Sequence, residues 1–429
     1  MIVSGAFAGK RYAVLGLARS GLSTVETLLA SGARVTAWDN RDEARAEVEA
    51  KNHPLAELAD PLSIDLQGYD GVVVSPGVPL NRHPIAGAAR AAGVPVIGDI
   101  ELFAQARAGL PPHKVVAITG TNGKSTTTAL VHHICEAAGL PSRMGGNIGL
   151  PILSADPLPA GGVYVLELSS YQIDLTDSLD CDIAVLLNVT PDHLDRYDGL
   201  DDYAASKARL FAMQSPGRLA ILDRAAEERF DLLVEAEDPI IQFLDDVALG
   251  DQGEWPSLQG PHNRQNAAAA TAVCRELGVG EDAIQRGLAT FPGLAHRMER
   301  VAERDGVLFV NDSKATNPTA AAPALAAFPA IRWILGGQAK SDSLDECATF
   351  FGNVRKAYTI GEASALFARL LGPGVPVAEC GSLDSAVRTA ASEAAPGETV
   401  LLSPACASFD QFPNFEARGD AFRAIVEGL

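Results

Sequence analysis

At 429 residues, 47% hydrophobic and 21% charged, the chain is too long for one typical core and ordinary for an ordered soluble enzyme, so two or three domains are expected. The formal net charge of −20, uncompensated by any basic run, argues against a nucleic-acid or anionic-membrane partner, and a phosphate ligand has to be bound by local features. No stretch approaches roughly 18 uninterrupted apolar residues, the N-terminus lacks a leader pattern, and six scattered cysteines without a C-x-x-C pair read as reduced thiols, so a cytoplasmic protein without membrane insertion is expected.

Residues 11–16 (RYAVLG) predict a short strand running into a turn from Gly16 to Gly21, then a helix over 22–31 and a second strand over 34–39. This is a βαβ unit with Asp39 closing its second strand, an arrangement that places a pyrophosphate on a helix start and a ribose near the acid. The glycine spacing lacks the middle glycine of G-x-G-x-x-G, so a purely structural Rossmann-like unit is equally compatible. Further strands are expected at 71–74, ending in Ser75-Pro76-Gly77, and at 94–97. The first boundary falls over residues 102–112, where a helical pattern gives way to consecutive prolines.

Residues 115–139 (VVAITGTNGKSTTTALVHHICEAAG) describe a buried strand, a glycine-bearing turn and a helix opened by Lys124-Ser125-Thr126. Gly120 and Gly123 let the backbone fold tightly around phosphate, with Thr121 and Asn122 between them. The helix N-terminus adds partial positive charge, Lys124 a mobile cation, and the Ser125 hydroxyl a Mg²⁺ ligand. An ordinary βα turn is the plainer alternative. Residues 143–149 read as a glycine-rich loop that brings Asn147 toward a ligand or simply turns at the surface.

A strand over 163–168 buries Glu167 among apolar residues, where it requires a metal ion or an ion-pair partner. The next strand, 182–188, delivers a loop with Asp192, His193, Asp195 and Arg196, of which His193 is the acid/base or ligand candidate. Lys207 lies in a helical run over 203–214 and, on composition, belongs to a solvated face. Polar residues 262–266 precede an Ala-rich helix and face either a base or sugar, or cap the helix through Asn263.

A second boundary falls near 291–295. A hairpin turning at Asp305-Gly306 follows, then a run dense in hydrogen-bonding groups, residues 311–318, with Arg297, Asp312, Lys314 and Thr316 within reach of an inter-domain cleft. Strands at 331–335, 356–360 and 399–403, alternating with helical patterns, complete another doubly wound domain.

Together GTNGKST, ELSSYQ, the Asn-x-x-x-Asp-His-Leu-Asp-Arg loop from Asn188 to Arg196, HNRQNAAAA and AHR resemble the motifs of the Mur ligase family of ATP-dependent amide ligases. NDSKATNP, LGGQAKS and SPACASFDQFPNFEARG resemble its D-glutamate-adding branch. The resemblance covers the full chain and implies an α/β protein of three domains. These are a Rossmann-like N-terminal domain over 1–102 for a UDP-sugar, a central P-loop-type ATPase domain over 103–294, and a C-terminal dinucleotide-fold-like domain over 295–429 for the amino acid.

By resemblance, Gly120 to Thr126 hold the phosphates of ATP, with Asn266, Arg297, Asp312 and Lys314 completing the nucleotide site. Ser125, Glu167 and His193 hold one or two Mg²⁺ ions, or Mn²⁺. Lys207 matches a lysine carbamylated in this family, where it stands beside the second Mg²⁺, and Lys124, His193 and Lys207 form the catalytic set. Leu17, Asn40, Arg41, Ser75 and Gly77 match the uridine-diphosphate region, and Asn147 and His193 contact the muramoyl-alanine. Thr316, Lys340, Ser408 and Phe415 position D-glutamate. The implied substrates are UDP-N-acetylmuramoyl-L-alanine and D-glutamate, joined by a monomer. Rival readings are another amino-acid-adding Mur enzyme or folylpolyglutamate synthetase, an NAD-dependent dehydrogenase, or a nucleotide switch without chemistry.

Overall fold

The computed structural model describes residues 1–192, 196–340 and 342–429, and the chain folds into two compact units. The first comprises residues 1–248 and 268–284, the second residues 249–267 and 285–429.

Two sheets build the first unit. Strands β1 (Arg11–Leu15), β2 (Arg34–Trp38), β3 (Ala56–Leu58), β4 (Gly71–Val74) and β5 (Val96–Ile97) lie in the order β3-β2-β1-β4-β5, all parallel. This is the doubly wound order in which ligands bind beyond the carboxyl ends, where the order reverses beside β1. Strands β6 (His113–Thr119), β7 (Ser142–Gly146), β8 (Gly162–Glu167), β9 (Ile183–Leu186), β10 (Leu219–Leu222) and β11 (Ile240–Phe243) form a second parallel sheet, β11-β10-β9-β6-β8-β7. Helices cover both faces of such sheets, which is why β8, β9 and β10 are buried along their whole length.

One hydrophobic core runs from Val14 and Phe103 of the first sheet's layer to Tyr164 and Phe211 of the second's. Polar ties reinforce it. Glu101 accepts from Asp177 N at 2.8 Å, Ser178 N at 2.9 Å and Ser178 Oγ at 2.7 Å, and Gly98 N donates to Leu175 O at 2.8 Å.

The second unit contains β12 (Glu299–Arg304), β13 (Val307–Asn311), β14 (Ile331–Gly336), β15 (Val354–Ile360), β16 (Val377–Gly381) and β17 (Thr399–Leu402), ordered β12-β13-β17-β14-β15-β16. β12 and β13 make the expected antiparallel hairpin around Asp305 and Gly306, and the remaining pairs are parallel. Among the described residues no helix is long and apolar enough to cross a membrane.

Three expectations need correction. Of the expected loop 143–149, residues 143–146 belong instead to the edge strand β7, paired from Ser142↔Val163 to Gly146↔Glu167, and only 147–149 lie outside it; backbone pairing to a neighbour overrides the low strand preference of glycine. The helix Pro261–Glu276 begins ahead of Asn263, which is therefore no N-cap: its Nδ2 donates to Gln259 O at 3.0 Å and its Oδ1 accepts from Asn266 at 3.0 Å. Lys207 lies on no solvated face, being only 1% exposed.

Candidate active site

The carboxyl ends of β6, β8 and β9 meet at the turn between Thr119 and Lys124. Asn122 N donates to Asn188 Oδ1 at 2.9 Å, Asn188 Nδ2 returns a bond to Asn122 O at 3.2 Å, and Thr121 N reaches Asn188 O at 3.0 Å. The turn is thus held from outside by the loop after β9, and the helix Lys124–Ala137 starts directly from it. Lys124 Nζ donates to Gly120 O and Thr121 O, each at 2.8 Å, folding the cation over the loop. Ser125 is buried at the first turn of the helix.

Beside this turn, β8 ends in Glu167, 2% exposed. Its Oε1 accepts from Asn147 Nδ2 at 3.0 Å, while Oε2 is buried with no hydrogen-bond partner among the described residues. Gly146 makes the approach possible. Its φ is +85°, and a Cβ there would come within 2.2 Å of Glu167 O, the same carbonyl that accepts from Asn147 N at 2.9 Å.

Lys207 reaches the turn from the helix Leu200–Ala212, its Nζ 3.2 Å from Gly120 O and 4.4 Å from the centre of the Tyr203 ring. Burial, joined by the charge of Lys124, pushes its ammonium well below the ordinary lysine range. Both causes favour an uncharged amine against the phosphate loop. His193, the other catalytic and metal candidate, lies outside the described residues.

In the first sheet, Leu17, Asn40, Arg41, Ser75 and Gly77 all follow the carboxyl ends of β1, β2 and β4. Asp39 ties two of them together, accepting from Leu17 N at 2.7 Å and Arg41 N at 2.9 Å. Against a partial burial that opposes it, these bonds and the Arg41 guanidinium hold the Asp39 carboxyl at about 2. Ser75 Oγ donates to Gly16 O at 3.1 Å, tying β4's loop to β1's. A cavity of about 570 Å³ adjoins this loop, walled by Pro76, Val78, Tyr171, Arg196 and Ser206. Arg196 stacks 4.3 Å over the Tyr171 ring and donates to Val78 O at 3.0 Å.

The second unit gathers the remaining candidates. Asp312, 7% exposed, accepts from Ser403 Oγ at 2.8 Å and Met298 N at 3.2 Å. Lys314 Nζ sits 4.1 Å over the Phe415 ring, and Lys314 N donates to His296 O at 3.0 Å, beside Arg297. Asn266, 2% exposed, belongs to the same unit. The loops bearing Lys340 and Ser408 are joined where Gln338 N donates to Ala407 O at 2.9 Å and Ala407 N to Gln338 O at 3.0 Å.

Family models match three successive stretches: a Mur ligase MurD-like N-terminal domain over residues 10–98, a Mur ligase middle domain over 118–243, and a Mur ligase glutamate ligase domain over 296–406. The chain belongs to the Mur ligase family. This Mur ligase is 66% identical over 433 residues to a UDP-N-acetylmuramoylalanine--D-glutamate ligase of Novosphingobium aromaticivorans, covering 100% of this chain and 97% of that one. A protein of the same name from Zymomonas mobilis is 56% identical, with 100% of both chains covered. Its fold is similar to the MurF ligase of Thermotoga maritima in complex with ADP, at TM-score 0.61 and 15% identity over 100% of this chain and 97% of that one. It is also similar to the UDP-N-acetylmuramate-alanine ligase MurC of the same organism, at 0.59 and 15% over 98% and 99%.

Among the described residues of this Mur ligase, no three His, Cys, Asp or Glu side chains form a ready-made metal cage. The unpartnered Glu167 Oε2 nevertheless fits a divalent ion shared with nucleotide phosphates, with Ser125 as the second protein oxygen. Sequence reasoning assigns no role to Asn188, which frames the phosphate loop, or to Tyr203 beside Lys207. Asn188 at a strand end opposite a phosphate loop is the signal that marks the first.

Proposed function

We propose that this Mur ligase joins the amino group of D-glutamate to the alanyl carboxyl of UDP-N-acetylmuramoyl-L-alanine, consuming ATP, as one step in assembling the peptidoglycan precursor. The observation that carries this reading is end-to-end likeness, at 66% identity, to a UDP-N-acetylmuramoylalanine--D-glutamate ligase. The geometry supports it. A carboxylate is a poor electrophile, and transfer of the γ-phosphoryl group onto it gives an acyl phosphate whose phosphate the amine then expels.

Two anions meet in the first step, and a chain of net charge −20 needs concentrated local cations to allow it. Lys124 and the helix start at Ser125 and Thr126 serve the phosphates. Glu167, Ser125 and His193 are proposed to hold Mg²⁺, one or two ions, with Mn²⁺ as a substitute; when bound, the metal neutralises phosphate charge. The buried Lys207 amine, pushed toward its neutral form, is suited to add CO₂ and lose a proton, becoming a carbamate that supplies a further carboxylate-like ligand. Asn147 orients Glu167 and, with His193, faces the muramoyl-alanine.

Leu17, Asn40, Arg41, Ser75 and Gly77 take the UDP moiety in this reading. Asn266, Arg297, Asp312 and Lys314 hold the nucleotide, and Thr316, Lys340, Ser408 and Phe415 the amino acid. Cytoplasmic action as a monomer belongs to the same proposal. Incubation with ATP, the UDP-sugar and a panel of amino acids, followed by mass analysis, tests it: the precursor should gain one glutamate residue, with D-glutamate alone, as ADP appears. Extension by a different amino acid, or ADP without an amide, overturns the assignment.

A further inference from the structure

A guanidinium is sealed between the loops assigned to the incoming amino acid. Arg418, on the final helix Phe415–Glu427, is 1% exposed. Its Nε donates to Ser313 Oγ at 3.0 Å, Nη2 to Ser313 O at 2.9 Å and Cys406 O at 3.0 Å, and Nη1 to Ala407 O at 3.2 Å. Ser313 Oγ passes the contact on, donating to Phe415 O at 2.8 Å. Gly337 closes the third side: its φ is +129°, and a Cβ there would stand 3.1 Å from Arg418 Nη1 and 2.3 Å from Ala407 O.

One side chain therefore bonds the loop after β13 and the loop after β17, and the loop after β14 is tied to the latter by the Gln338–Ala407 pair with Gly337 leaving room for the guanidinium. These carry Thr316, Lys340 and Ser408, and Arg418's own helix begins with Phe415. Every atom that accepts from the guanidinium is a carbonyl or hydroxyl oxygen. Among the described residues no carboxylate pairs with it; Asp410 acts only through space, its Oδ2 accepting from Glu362 N at 3.0 Å. Burial lowers Arg418 to about 10, which leaves it charged at neutral pH. A buried cation satisfied by neutral dipoles keeps its potential, and leaving it without an anion is costly. An acidic ligand brings the missing charge.

We propose that Arg418 is a positioning residue for the acidic amino acid, locking three loops into one receptor and lending that receptor an unpaired positive charge. This rests on the reading that these loops receive D-glutamate. The test is steady-state kinetics of the full-length enzyme, with KM measured separately for D-glutamate, ATP and the UDP-sugar, in wild type, Arg418→Lys, Arg418→Met and Ser313→Ala.

Arg418→Met should raise the KM for D-glutamate at least tenfold, leave the KM for the UDP-sugar within twofold, and flatten the salt dependence of the D-glutamate KM. Arg418→Lys, which keeps the charge but not the fork, should raise that KM less and retain the salt dependence. Equal rises for all three substrates, or an unchanged D-glutamate KM, overturn the proposal. Should Arg418→Met fail to fold by thermal melting, Arg418→Lys and Ser313→Ala decide, since an unaltered D-glutamate KM in both is equally fatal. A wild type that selects another amino acid defeats the functional reading alone, and the KM of that amino acid then reports on Arg418.

Discussion

Asn147 Nδ2 donates to Glu167 Oε1 across 3.0 Å, while the second oxygen of the same buried carboxylate has no partner among the described residues. One oxygen is thereby fixed in direction and the other is left open, the arrangement that the proposed metal role requires of Glu167. Glu167→Gln keeps the side chain's shape and the Asn147 contact but removes the charge. Its melting temperature should match wild type or exceed it, because an unpartnered buried charge is lost. Its turnover should fall on the order of 100-fold, with a raised Mg²⁺ requirement. Magnesium titrations of ADP formation check this, and an unchanged Mg²⁺ dependence would sink the metal role of Glu167.

The Lys207 amine lies 3.2 Å from Gly120 O and is held toward its uncharged form by burial, which on the proposed reading makes it the nucleophile that adds CO₂. Enzyme equilibrated with ¹³C-bicarbonate should show one carbamate resonance that is absent from Lys207→Met. Activity should decline in CO₂-depleted buffer and return on adding bicarbonate, and Lys207→Met should stay inactive in both. A wild-type spectrum without that resonance, at full activity, removes the carbamate from the reaction.

Lys207 also shows which features are legible in the sequence and which are not. Strands such as β6 and β9 are buried on both faces, so they read as unbroken apolar runs, and the loops they deliver are found with them. β7, with the sequence Ser-Arg-Met-Gly-Gly, has no such pattern and exists because β8 offers it a hydrogen-bonding edge. Composition alone places Lys207 in solvent. Spacing tells otherwise: Tyr203, Lys207, Leu210 and Phe211 are buried on one stripe of their helix, at offsets of three and four, so a charged residue interrupts an inward face. Arg418 escapes notice for the converse reason. Its partners Ser313, Cys406 and Ala407 lie 105, 12 and 11 residues away, and only the fold brings the first of them near.

Gly146 offers a test of backbone geometry independent of charge. Gly146→Ala places a methyl 2.2 Å from Glu167 O at a φ of +85°, combining a left-handed backbone with a clash against main chain. The cost should be about 3 kcal/mol, read as a lowered midpoint in urea. Because the displaced carbonyl belongs to Glu167 itself, activity should fall further than stability explains. Gly139→Ala, at a φ of +75° but with nothing within 4 Å, should cost about 1–2 kcal/mol of backbone strain and leave the Mg²⁺ dependence untouched.

Asp312 is one group through which pH should act on the second unit. Burial raises its carboxyl from 3.8 to about 7, against the opposing pull of Ser403 Oγ, Met298 N and the Arg297 charge. Below pH 3.8 folded and unfolded chains are both protonated there, and the group's contribution is at its full value. Between 3.8 and about 7 the unfolded chain sheds a proton that the folded chain keeps, so stability falls as pH rises through that window and levels off above it. Asp312→Asn removes this titration. Its melting temperature relative to wild type should therefore climb from about pH 4 to about pH 7, while its affinity for ATP drops if Asp312 holds the nucleotide. Parallel melting curves of the two proteins across that range would show that Asp312 does not titrate between them.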